Sequence, residues 1–197
     1  MPRSINYHQI KKKLLESRKV REKLDNKIQA VFVEAKRELI EGFEKDLISQ
    51  ELIHPEHGNV SRTLDGKTNK SLFGFIGFDA GSDPVGEVKK ILEDEIHLKQ
   101  GLVTNKGIEY RISHPSLKEL YSKTPMPWES GRSWLYGISH GISGFSNFLA
   151  GFFRSPTPSR SGQGIQLEGD IREGAYKPRR YIEEYLSIFR KRFGKKT

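Results

Sequence analysis

Three clusters in the sequence hold residue types that chemistry uses. Gly137-Ile138-Ser139-His140-Gly141 has the G-x-S-x-G spacing of a nucleophile elbow. There a serine sits on a sharp strand-to-helix turn, with an acid and then a histidine later in the chain. No histidine follows His140, and the residues before Ser139 read as helix. Small residues in a packed helix are therefore expected, not a hydrolase. Gly66-Lys67-Thr68 ends like a Walker A loop, but the leading glycine position holds Ser61 and no strand precedes it. His54-Pro55-Glu56-His57 offers two imidazoles, yet Pro55 opposes a helix there and no further ligand pair is near in sequence. The carboxylates are scattered, and the absence of cysteine excludes thiolate metal sites and a cysteine nucleophile. No catalytic, cofactor-binding or metal-ligating residue is assigned, and the chain is expected not to be an enzyme.

Around these clusters the elements follow from periodicity. From about His8 to Gln50, Leu24, Ile28, Val31, Ala35, Leu39, Phe43 and Leu47 recur every three or four residues. An uninterrupted helix over that span would be roughly 60 Å long. That is too long for a 197-residue body, so its basic first half is expected to project or to pack on another subunit; a break near Asn26 is the alternative. Ser71-Leu-Phe-Gly-Phe-Ile-Gly-Phe78 reads as a strand with a bulge at its glycines. Asp83-Pro84 opens a helix running to about Lys99. Lys106 to Ser113 alternates as a strand, His114-Pro-Ser starts a helical turn, and Thr124 to Trp128 is extended. Residues 165–167 suit a short strand, and Pro178 opens a last helix. The prediction is an α+β fold: a long N-terminal helix, a small mixed β-sheet and two or three further helices. A basic helical arm, residues 1–24, would precede a single domain, residues 25–197, with extended loops at 54–70 and 154–164.

Residues 133–153 carry no Asp, Glu, Lys or Arg and could reach across a bilayer by length. Ser139, His140, Ser143, Ser146 and Asn147 are costly in hydrocarbon, so no membrane span is expected. The start, Met-Pro-Arg-Ser, leads into lysines and not an apolar run, so no secretory signal is expected.

Charge is distributed unevenly. The net charge is +9. Residues 1–30 hold 9 basic and 3 acidic side chains, residues 31–154 hold 15 and 17, and residues 155–197 hold 10 and 5. A near-neutral body with two cationic ends suits an anionic partner, although a solvated helix face has the same composition. The candidate contacts are Lys11, Lys12, Lys13, Arg18, Lys19 and Arg21 at one end and Arg190, Lys191 and Arg192 at the other.

Three segments together carry a family likeness. They are the glycine-spaced run 71–78 with Asp79 and Asp83-Pro84; Met126-Pro-Trp-Glu-Ser-Gly-Arg-Ser-Trp134 with Gly137-Ile-Ser-His-Gly-Ile-Ser-Gly144; and Ser159-Arg-Ser-Gly-Gln-Gly-Ile-Gln166 with Lys177-Pro178 and the final helix. Over roughly residues 25 to 193 the chain resembles small structural proteins of tailed bacteriophages, of the neck, head–tail joining or tail-completion type. The resemblance implies a virion subunit that forms a homo-oligomeric ring or collar without a cofactor. It would meet other neck, portal or tail proteins, and would reside in the virion after assembly in the host cytoplasm. Leu24, Ile28, Val31, Ala35, Trp128 and Trp134 are the candidate subunit interface. The alternative is a nucleic-acid-binding protein that uses its basic terminal helices without sequence preference, and DNA contact is also compatible with the ring.

Overall fold

The computed structural model describes residues 13, 17–64, 71–99, 103–104, 107–127, 129–141, 157–158, 165–166 and 176–193. Helix α1, Arg18–Lys45, is rich in good helix formers and is stopped at Asp46. Asp46 leaves helical geometry, and its carboxylate accepts the Ile48 N–H at 2.8 Å, capping α2, Leu47–Ile53. The helix thus breaks at Asp46 and not near Asn26, and α1 alone is about 42 Å long.

The segment 71–78 corrects the sequence reading. It forms a short helix, α3, Leu72–Ile76, and not a strand. Ser71 accepts the Gly74 N–H, and Gly77 ends the turn at φ +87°, a left-handed conformation that glycine adopts without strain. Leu72, Phe73 and Ile76 face the core at helical spacing. The pattern of apolar residues on both faces fits a buried helix as well as a buried strand, and burial decided between them.

Helix α4, Pro84–Glu95, begins where expected, with Asp83 accepting the Gly86 N–H. It ends before Lys99, because residues 97–99 enter a hairpin. That hairpin pairs β1, His97–Lys99, with β4, Arg111–Ser113, and nests β2, Val103–Thr104, against β3, Gly107–Ile108. Next come α5, Leu117–Ser122, with a capping box between Ser116 and Glu119, and the pair β5, Pro125–Met126, and β6, Glu129–Ser133. Then follow α6, Trp134–His140; the pair β7, Thr157–Pro158, and β8, Ile165–Gln166; and α7, Ile182–Phe193. The last helix starts four residues after Pro178, the residue expected to open it.

The fold is α+β, as expected, but the described strands form separate two-stranded antiparallel ladders instead of one mixed sheet. No ladder is wide enough to organise a core alone. Burial is therefore organised by helices. Phe43, Ile48, Leu52, Leu72, Val88, Leu92, Leu120, Leu135, Ile138 and Ile182 are at most 1% exposed and belong to one apolar cluster.

The described half of the expected 54–70 loop is fastened to its own chain and does not extend as an arm. Leu64 bridges Tyr176, the Lys177 N–H donates to the Thr63 carbonyl at 2.8 Å, and Ser61 and Thr63 are buried. The buried Glu51 carboxylate accepts the N–H groups of Ser61 at 2.9 Å and Leu72 at 2.5 Å. One side chain thereby fixes both the loop and the start of α3. Residues 65–70 and most of the 154–164 loop lie outside the described residues.

Candidate functional site

The last helix is amphipathic, with Glu183 and Glu184 in its first turn and Arg190, Lys191 and Arg192 in its last. That arrangement complements the helix dipole at both ends. Its apolar face packs antiparallel along α1. Tyr181 and Tyr185 meet Phe43 at ring-centroid distances of 5.2 and 6.5 Å, while Phe189 and Phe193 meet Phe32 at 6.4 and 6.3 Å. Gly42 permits this approach, since a β-carbon there would come within 3.0 Å of the Tyr185 ring. Tyr185 donates to the Asp46 carboxylate at 2.8 Å, and Arg192 pairs with Glu38. Residues early in α7 thus lie beside residues late in α1, and the reverse.

The basic last turn of α7 lies beside the middle of α1, and α1 continues past it for 14 residues, about 21 Å, from Phe32 back to Arg18. Lys19 is exposed, and Arg18 is exposed and paired with Glu22 at 2.9 Å. Arg21 is half-buried beside Tyr110, which donates to Asp25. Burial first, and then the Asp25 carboxylate, pushes the Tyr110 phenol up to about 12. Arg190 donates to His114 Nε2 at 3.2 Å, and Lys191 is exposed. Lys13 is exposed; Lys11 and Lys12 lie outside the described residues.

The expected subunit interface divides. Leu24 and Ile28 are half-buried and Val31 is 40% exposed, so these three remain on the surface of α1. Ala35 and Trp134 are buried in the chain's own core at 3% and 1% exposure and are not available to a partner. The inward face of α1 is centred on Phe32, Ala35, Leu39 and Phe43. It is rotated from the expected stripe because Phe32, with the larger ring, takes the buried place beside α7 and leaves Val31 outside. Trp128 lies outside the described residues.

The G-x-S-x-G serine is on a helix, as the sequence argued. Ser139 donates to Glu183 Oε2 at 2.8 Å, and the same carboxylate accepts from Tyr121 at 2.6 Å and from the Tyr181 N–H at 3.1 Å. Burial works to raise the Glu183 carboxyl, but those three hydrogen bonds and one from its own backbone N–H outweigh it and hold the group below the usual range. The Glu183 carboxylate thereby orients the Ser139 hydroxyl. His140 stacks on Tyr136 at 4.1 Å, beside a cavity of about 430 Å³ lined in part by Tyr121, Arg132, Tyr136, Gly137 and Gly141. His54 and His57 stack at 5.2 Å with Glu56 between them, and no group of three metal-ligating side chains occurs among the described residues. Gly66-Lys67-Thr68 lies outside them. Among the described residues no helix is long and apolar enough to cross a membrane, and residues 142–153 lie outside that description.

Three features escaped sequence reasoning. Glu51 gave no local signal, because its partners are ten and 21 residues away. Lys36 caps the end of α4 by donating to the carbonyls of Glu93 and Ile96 at 2.6 and 2.9 Å. Lys27, exposed, follows Lys19 and Lys23 at a four-residue spacing that was available in the sequence.

No protein-family model matches the chain, and no curated protein or solved structure matches it.

Proposed function

We propose that the chain is a non-catalytic structural subunit of the neck or tail of a tailed bacteriophage. In this reading it joins copies of itself into a ring or collar and docks on an anionic partner. One observation carries it: α1 outruns the body. From Arg18 to Val31 every α1 side chain is exposed or half-buried, and Leu24, Ile28 and Val31 present apolar surface that the chain itself does not fully cover. Contact with a neighbouring subunit would complete that burial. The engagement of Ser139 by Glu183 supports a non-hydrolytic reading.

The test is deletion of residues 1–20. The truncated chain is expected to keep its circular dichroism and melting transition while losing assembly in sedimentation velocity and electron microscopy. Assembly of the truncated chain at unchanged affinity would overturn the proposal, as would a full-length protein that stays monomeric at all concentrations. In parallel, Ser139→Ala is expected to leave assembly intact and to remove no ester turnover. Genes for a capsid, portal or tail sheath beside this one would support the phage setting directly.

A second reading, a nucleic-acid-binding protein without sequence preference, is favoured by the exposed lysines Lys19, Lys23 and Lys27, which recur every four residues along the part of α1 that no side chain fully buries.

A further inference from the structure

We propose that the cavity beside α6 binds a purine nucleoside monophosphate, with the base stacked on Tyr136 and the phosphate held by Arg132. The inference is independent of both readings above.

Helical spacing builds the platform. Tyr136 and His140 are four residues apart on α6, which places their side chains on one face. The rings stack at 4.1 Å with 7° between their planes, and His140 Nδ1 lies 3.1 Å from the Tyr136 carbonyl oxygen. Tyr121 stands nearly perpendicular to both rings, 5.2 Å from Tyr136 and 6.4 Å from His140. These three distances close a nearly right-angled triangle at Tyr136. Tyr121 therefore stands at the rim of the stack, while His140 covers one face of Tyr136. The other face meets neither ring, and Tyr136 is 47% exposed. Its surroundings are fixed. The Tyr121 hydroxyl donates to Glu183 at 2.6 Å, and Ser133 caps α6 by accepting the Tyr136 N–H at 3.1 Å. A platform held in this way gives up little freedom when another ring stacks on it.

The cavity supplies room and one charge. Its volume, about 430 Å³, falls within the range of small-ligand sites, about 300–1,000 Å³. Gly131, Gly137 and Gly141 line it without side chains that would fill it. Arg132 is the one ionised side chain among the described lining residues. A guanidinium there favours an anion and can grip a phosphate through two parallel N–H groups. Among the described residues no carboxylate or side-chain amide lines the cavity, and those are the acceptors that the hydroxyls of a neutral sugar need. A nucleotide joins a flat ring for Tyr136 to an anion for Arg132. One cation suits one phosphate, and a purine offers the tyrosine a larger face than a pyrimidine does. An aromatic acid without the sugar would leave much of the volume empty.

The experiment is isothermal titration calorimetry on the full chain with AMP, adenosine, ribose 5-phosphate, UMP and benzoate. AMP is expected to bind more tightly than each of the others. Tyr136→Ala should weaken AMP roughly 5- to 150-fold, the worth of one base–aromatic stack, and Tyr136→Phe should restore it. Arg132→Gln should weaken AMP at least about tenfold and leave adenosine unchanged. Circular dichroism and melting of each variant, unchanged, would show that the fold is intact. In the unaltered chain, nuclear Overhauser contacts should join the adenine protons to the Tyr136 ring. Their absence from a saturated complex would overturn the proposal even where a variant fails to fold. So would a lack of saturation with AMP at millimolar concentration, or AMP binding unchanged in both Tyr136→Ala and Arg132→Gln. Ribose 5-phosphate or benzoate bound as tightly as AMP would remove the nucleotide. A short strand of thymidines that binds where AMP does not would overturn the free nucleotide in favour of single-stranded nucleic acid.

Discussion

The two halves of α1 are one unbroken helix held by different forces. From Phe32 to Phe43 it is clamped: Phe32, Ala35, Leu39, Ile40 and Phe43 are buried, and α7 and α4 pack on either side. From Arg18 to Val31 no side chain is fully buried, and the supports include an i,i+4 pair, Arg18–Glu22, and the Tyr110–Asp25 hydrogen bond from the hairpin. A free helix of 14 residues is marginal in water because nucleation is costly. Here the buried half supplies the nucleus, and residues such as Leu, Lys, Gln and Ala propagate it outward. Anchoring one half thus lets the other stay helical while its side chains remain open to a partner.

The largest effect that would break this contrast is in the core. Phe43→Ala removes a fully buried ring at the contact with Tyr181 and Tyr185 and is expected to cost about 3–5 kcal/mol, read from urea midpoints. Ile28→Ala, only half-buried, should cost well under half of that. Equal losses at the two positions would show that the N-terminal half is packed as tightly as the other.

Alkaline pH sharpens the contrast with one kind of group. Tyr181 is raised by burial first, and Tyr185 by burial and then Asp46, both against the clamped half. Tyr110, at the open half, is raised from 10.0 to about 12. A folded-state pKa above the unfolded one means that the folded chain holds the proton more tightly. The stabilisation is complete below about pH 10 and fades as pH rises through the raised values. Urea midpoints should therefore be flat from about pH 8 to 9.5 and fall steeply above 10. A midpoint that holds through pH 11 would contradict the burial of these phenols.

The smallest effect concerns the hairpin. Tyr110→Phe removes only the hydroxyl that reaches Asp25 and should cost about 1 kcal/mol. Its signature is local: amide exchange should quicken between residues 18 and 29 and stay unchanged between 32 and 43. Uniform quickening over α1 would mean that the two halves open as one unit.

Some local elements could be read directly. Asp83-Pro84 capped and opened α4, the His114-Pro-Ser turn led into α5, where Ser116 caps the helix, and Ile165–Gln166 paired as a strand. In the first two cases the side chain that fixes the element lies within three residues of the backbone it binds. The elements that were misread depended on remote burial. The run 71–78 became α3 because Glu51 caps it and the core takes Leu72, Phe73 and Ile76. The site divides the same way. The cations were visible as charge at two ends of the chain, whereas the seat of Arg192 beside Glu38, in the middle of α1, required α7 to turn back along it.

Cation at both ends, the amphipathic helices and the lack of a histidine after His140 are properties of the linear chain, because charge, helical period and residue order survive in any conformation. Which side of α1 faces inward is not such a property. Phe32 and Ala35 were buried, Val31 was turned out and Trp134 was withdrawn from any partner because α7 and the central cluster compete for the same apolar surface. That competition is decided by contacts more than a hundred residues apart, between side chains that local spacing cannot bring into view.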